Sequence, residues 1–184
     1  LAVALEPGQT FATLLEASRV PLVAVPSLDR KAPPTSFKVK GAGRLRVDLL
    51  AAGRGKEPST CAVPELRAHA TALPYFGYLL EASLEGLALG KESVVPVRLP
   101  TPERMAWHKM LVSELRGPTR EKRTKDLQQA AVLVAVLAED APDALQEAFR
   151  ALPRGAVALV RRAAKQVRTA LDTAGHPRAV EALP

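Results

Sequence analysis

Ser36-Phe37-Lys38-Val39-Lys40-Gly41-Ala42-Gly43-Arg44-Leu45-Arg46-Val47-Asp48-Leu49-Leu50 decides how the first half of the chain is read. Alternating strand formers on both sides of Gly41-Ala42-Gly43 predict a β-hairpin. The second strand carries one carboxylate, Asp48, between Val47 and Leu49-Leu50. Asp is depleted in strands because its side chain competes for the backbone and its charge is costly to desolvate. Two readings stay open at this point. Asp48 holds a cation, or alternation puts Arg46 and Asp48 together on a solvated face with Leu45, Val47 and Leu49 turned inward.

Outward from the hairpin, Thr10 to Arg19 places Phe11, Leu14 and Leu15 on one helical face, with Thr10 as N-cap and Pro21 beyond the end. Leu22 to Val25 is expected as a buried strand and Pro26 to Pro34 as a loop, with Pro33-Pro34 excluding sheet interior. Ala51 to Thr60, rich in Gly, Lys and Arg, reads as a mobile loop leaving the Asp48 strand. His69, among alanines, reads as an ordinary, partly buried histidine. Tyr75 to Leu80 gathers aromatic residues in a chain that is only 4% aromatic, which favours core packing over base stacking. Leu84–Leu89 and Val94–Leu99, separated by Gly90-Lys91-Glu92-Ser93, predict a second hairpin.

At Pro100 the hydrophobic period changes from two to about 3.6. Thr101-Pro102-Glu103 supplies an N-cap, a proline at the first helical position and an acid in the first turn. Trp107, Met110, Leu111 and Leu115 form the apolar face of that helix, and Lys109 and Arg116, seven apart, share another face. Gly117-Pro118 ends it. A second helix, from near Thr119, is expected to bury Leu127, Ala130, Ala131, Val134 and Leu137, with Lys122 and Asp126 as an i,i+4 pair. Further helices are expected over Pro142 to Leu152 and Gly155 to Thr173. The last has an apolar stripe of Val157, Val160, Ala164, Val167 and Leu171 and a basic one of Arg154, Arg161, Lys165 and Arg168. The expected class is therefore α+β, a small mixed sheet with helices over residues 1–99 and a helical bundle over 100–184.

Composition narrows the function classes. The chain has 184 residues, 47% of them hydrophobic, a formal charge of +7 and a pI near 9.9. That balance favours an anionic partner such as a nucleotide or RNA. Cys61 is the single cysteine, so neither an internal disulfide nor a cysteine zinc site is available, and a reducing compartment is expected. The apolar run Ala130 to Ala138 is about half of what a bilayer-spanning helix needs. A cytoplasmic protein without a membrane partner is the expectation; the sequence is silent on oligomeric state.

Several ordered motifs resemble a bacterial family of nucleotidyltransferases in the DNA polymerase beta-like superfamily. They are Thr35-Ser36-Phe37-Lys38-Val39, Leu45 to Leu50, Val97-Arg98-Leu99-Pro100-Thr101-Pro102-Glu103-Arg104, His108-Lys109-Met110-Leu111, and Lys122 to Ala130. The resemblance covers roughly Phe37 to Leu137, the C-terminal two-thirds of such a protein. It implies a metal-dependent transfer of a nucleotidyl group from an NTP to an acceptor hydroxyl, with Mg2+ or Mn2+ as cofactor. Asp48 resembles the family's third acid, a catalytic metal ligand. Lys109 is implied in holding the triphosphate, and Lys125, Asp126 and Gln129 in binding or supporting the nucleotide. The family's Gly-Ser turn and Asp-x-Asp strand are not found before Asp48, and Leu22 to Val25 carries no acid. The expectation is that these motifs lie upstream of Leu1, and that the chain as given binds magnesium poorly and turns over little. The alternative from another class is a non-catalytic module that binds nucleic acid or protein through its basic helices.

Overall fold

A computed structural model describes residues 9–26, 31–55, 57–116 and 120–184. The architecture is α+β: small sheets come first and helices dominate the C-terminal part. Contacts divide the chain into two compact units, Leu1–Gly77 and Tyr78–Pro184. The division falls ahead of the change in hydrophobic period at Pro100.

The first unit opens with α1 (Phe11–Ala17), whose start is fixed by a capping box in which Thr10 and Thr13 satisfy one another's backbone N–H groups. Strands β1 (Leu22–Ala24), β2 (Ser36–Val39) and β3 (Arg46–Asp48) form an antiparallel sheet in that order. Gly41 turns the predicted hairpin at φ +91°, a conformation that L side chains resist. The register pairs Ser36 with Asp48, Phe37 with Val47 and Lys38 with Arg46. The Phe11 ring packs 5.4 Å from that of Phe37, so α1 covers the Phe37 and Val47 side of the sheet.

Three expectations change here. β1 is not buried; it is an edge strand, and Val23, opposite Lys38, is 40% exposed. Leu45 does not turn inward, because it precedes β3 in the turn, where its carbonyl accepts from the Val39 N–H. Ala51 to Thr60 is not one loop. It contains β4 (Leu50–Gly53) and the start of β5 (Ser59–Val63), which flank β6 (Ala68–Pro74) in the order β4-β6-β5. β4 runs parallel to β6 and β5 antiparallel to it, which makes the sheet mixed. Of the loop expected over Pro26 to Pro34, residues 27–30 lie outside the described residues.

The second unit starts in α2 (Phe76–Leu80), where Tyr78 and Leu79 are buried, followed by the predicted hairpin of β7 (Ser83–Leu89) and β8 (Val94–Pro100). Helices α3 (Pro102–Leu115), α4 (Arg120–Asp140), α5 (Pro142–Arg150), α6 (Arg154–Thr173) and the short α7 (Pro177–Glu181), which periodicity did not reveal, build its core. The turn expected at Gly117-Pro118 and the helix start at Thr119 lie outside the described residues. Trp107, Met110 and Leu111 of α3 are fully buried, as are Leu145 of α5 and Val160 and Val167 of α6, the two helices on which α3 packs. The Trp107 indole N–H donates to the Leu145 carbonyl at 2.9 Å, satisfying the one polar atom of that side chain. Leu115, expected in this face, ends the helix and is 41% exposed. In α4 the buried line is Asp126, Ala130, Val134 and Leu137, while Leu127 and Ala131 flank it half-buried. A carboxylate thus occupies a core-facing turn.

Candidate functional site

Asp48 ends β3, one residue before the chain passes into β4. Its Oδ1 accepts from the Ser36 hydroxyl and, at 2.8 Å, from Arg46 Nε, which also donates to Ser36 Oγ at 2.7 Å. The register that places Ser36 opposite Asp48 and alternation that places Arg46 on the same face create this triad. Hydrogen bonding from the Ser36 hydroxyl, aided by the Arg46 guanidinium, holds the Asp48 carboxyl below the usual carboxylate range against a partly opposing desolvation. Asp48 is therefore an anion throughout the neutral range. Among the described residues its Oδ2 accepts no hydrogen bond, and nearly half of the side chain, 46%, faces solvent. Pattern had allowed for Arg46; Ser36 was missed, and its signal was the hairpin register.

Lys109 lies in the second unit, on α3. Its Nζ is 3.1 Å from Oδ1 of Asp126, and Arg116 Nε is 2.9 Å from Oδ2 of the same carboxylate. Lys109 on α3 and Arg116, the extended residue that caps its C-terminus, both reach across to this carboxylate on α4. Asp126 is consequently not the partner of Lys122, which is exposed; the α3 cations take both of its oxygens. The three charges sum to a single positive excess. His108, buried beside them, has its pKa pushed down to about 4 by desolvation and then by the Lys109 ammonium, so it is neutral near pH 7 and adds no charge.

A groove of about 570 Å³ runs beside this cluster between α3 and α4, lined by Met105, Lys109, Gln128, Gln129, Val132 and Leu133. It gathers two of the four residues nominated for nucleotide binding, Lys109 and Gln129, with Asp126 behind the lysine. Lys125 is exposed one turn earlier on α4 and does not line it. Gln128 lies within the Lys122 to Ala130 motif but was given no role there.

A family model described as nucleotidyltransferase matches residues 1–153. The chain belongs to this nucleotidyltransferase family. No curated protein and no solved structure matches it. The match takes in both the β1–β2–β3 sheet with Asp48 and the α3–α4 pair with Lys109 and Asp126. The nucleotidyltransferase chain has, among its described residues, no group of three or more His, Cys, Asp or Glu side chains that could hold a metal ion, and no helix long and apolar enough to cross a membrane. The basic stripe of α6 is partly structural. Arg168 donates to the carbonyls of Val180 and Leu183 at 2.8 and 3.0 Å, while Arg154, Arg161 and Lys165 remain exposed.

Proposed function

We propose that this chain moves a nucleotidyl group from an NTP to an acceptor hydroxyl, with Asp48 in the site, within a bacterial branch of the DNA polymerase beta-like superfamily. In this reaction the hydroxyl oxygen bonds the α-phosphorus, the bond from that phosphorus to the bridging oxygen breaks, pyrophosphate leaves, and the hydroxyl proton passes to water. Family membership supports nucleotidyl transfer in general. The observation that carries the assignment to Asp48 is a half-exposed carboxylate, ionised at neutral pH, with Oδ1 held by Ser36 and Arg46 and with Oδ2 accepting no hydrogen bond among the described residues.

A carboxylate of depressed pKa is a weak proton acceptor, so Asp48 acts here as a ligand or orienting group rather than as a general base. Mg2+ is commonly held by one or two carboxylates together with substrate phosphates, and Asp48 fits as one such ligand, with Mn2+ as an alternative ion. Bound there, the ion would neutralise phosphate charge. Ser36 and Arg46 fix the rotamer of Asp48 so that Oδ2 is the oxygen offered. Taken by itself, the second unit offers the Lys109 ammonium as a compact charge for a phosphate at the α3–α4 groove, with Asp126 holding that lysine in place and Gln129 lining the groove beside it. An ammonium has three donors, and the Asp126 contact uses one.

The reading as a purely non-catalytic module on basic helices is weakened by Arg168, which is engaged within the fold. The test is transfer of label from α-labelled NTPs to total cellular RNA or protein by the intact protein. Loss in Asp48→Asn with the fold retained is expected.

A further inference from the structure

The β1–β2–β3 sheet has two unlike faces. On the side opposite α1 it carries Ser36 against Asp48 and Lys38 against Arg46, and Lys40 and Arg44 follow in the turn just past Val39 and Leu45, which are joined by a backbone hydrogen bond. Lys38, Lys40, Arg44, Arg46 and Asp48 are all exposed. Like charges directly opposite on neighbouring strands destabilise a sheet, and four cations here meet one carboxylate. Arg46 is held by that carboxylate. Among the described residues, Lys38, Lys40 and Arg44 form no ion pair. A sheet face that keeps three unpaired cations beside a carboxylate gains from an anion lying over it.

The cations have an order. At a rise of about 3.3 Å per residue, the Lys38 and Arg46 pair stands roughly 7 Å from the Ser36 and Asp48 pair, and Lys40 and Arg44 lie beyond it, in the turn that closes the hairpin. A triphosphate is too compact to follow such a row, whereas a polynucleotide offers a phosphate at every step along its length. The face carries no aromatic side chain in its strands, only Val23 beside Lys38, so recognition would rest on the phosphates and be indifferent to base identity. We propose that this face binds the backbone of a single-stranded nucleic acid whose terminal hydroxyl is the acceptor at Asp48. The inference rests on the nucleotidyltransferase reading for the role of that hydroxyl, and on the cation row alone for the binding.

Fluorescence anisotropy of a labelled single-stranded RNA, and of DNA of the same sequence, titrated with the protein in the absence of NTP and divalent ions, tests it. Binding should weaken with salt, and Lys38→Ala/Lys40→Ala/Arg44→Ala should weaken it about tenfold or more and flatten the log-log slope by roughly 2, about 0.7 for each lost contact. Its melting temperature should not fall, since the substitutions remove repulsion. Lys38→Arg/Lys40→Arg, which keeps the charges, should bind as the parent does, and so should Arg154→Ala/Arg161→Ala/Lys165→Ala. No binding by the parent protein, an unchanged slope in the alanine variant, loss confined to the α6 variant, or loss of ATP binding in place of RNA binding would each overturn the proposal. Because no transfer is measured, failure here leaves the Asp48→Asn test of the reaction standing, and failure of that test leaves this one.

Discussion

Lys109 Nζ lies 3.1 Å from Asp126 Oδ1, and the side chain of Asp126 is only 5% exposed although it sits on the core-facing line of α4. Arg116 completes its pairing on the other oxygen. A carboxylate survives in that position because two cations from α3 replace the water that it loses.

Asp126→Asn should therefore destabilise the second unit more than the loss of an exposed ion pair would. Removing one member of a buried pair costs about 3 to 5 kcal/mol, and because Lys109 and Arg116 are 27% and 37% exposed the expectation here is nearer 2 kcal/mol. Denaturant unfolding measures it; a change within 0.5 kcal/mol, typical of about any ordinary surface substitution, would mean that the pairing contributes little.

Lys109→Gln separates binding from folding. Arg116 still answers Asp126 in this variant, so stability should change little. An amide cannot replace the ammonium against phosphate, and NTP affinity measured by calorimetry should fall about tenfold, or roughly 1.4 kcal/mol. An unchanged dissociation constant would remove Lys109 from the nucleotide site.

His108 gives the stability a pH dependence. Its folded pKa of about 4 lies below the ordinary 6.5, so between those values the unfolded chain binds the proton and the folded one does not. Stability should rise with pH from 4 to 6.5, by about 3 kcal/mol for this group, and that increment is lost again on acidification. Unfolding free energies measured across this interval for the parent and for His108→Gln should differ in slope; parallel curves would contradict the assignment.

Tyr78→Phe tests the aromatic cluster at the start of the second unit. The Tyr78 hydroxyl donates to the Ala148 carbonyl at 2.9 Å, and the Arg104 guanidinium lies 4.8 Å from the ring centre. Removing the hydroxyl leaves a buried carbonyl without this donor and should cost about 1 to 2 kcal/mol in denaturant unfolding, with the Arg104 stacking retained. A neutral result would mean that water replaces the donor.

The legible parts of the chain were those whose signals are local. The Asp48 hairpin follows from a glycine turn between alternating strands, and α3 from the Thr101-Pro102-Glu103 start. The strands on either side of β6 were hidden because their faces are filled by Ala51, Ala52, Cys61 and Ala62, small residues without an alternating contrast, and only pairing with the buried Ala70 and Ala72 makes them strands. Asp126 was misassigned for a related reason. Next to Lys122 on one helix it reads as a surface pair, and only the antiparallel return of α4 on α3 brings Lys109 and Arg116 to it. Ser36 likewise became a partner of Asp48 through register, which a single strand does not encode.

The central claim is that Asp48 serves nucleotidyl transfer and not sheet stability. Transfer of label from α-labelled NTPs, with magnesium present, by intact protein carrying Asp48→Asn is its most direct measurement. The account predicts loss of transfer with a melting temperature within a few degrees of the parent, because the Asp48 side chain is half exposed and its ion pair contributes little. Transfer at the parental rate would contradict it, and a variant that loses transfer only because it fails to fold would place Asp48 in the structure rather than in the reaction.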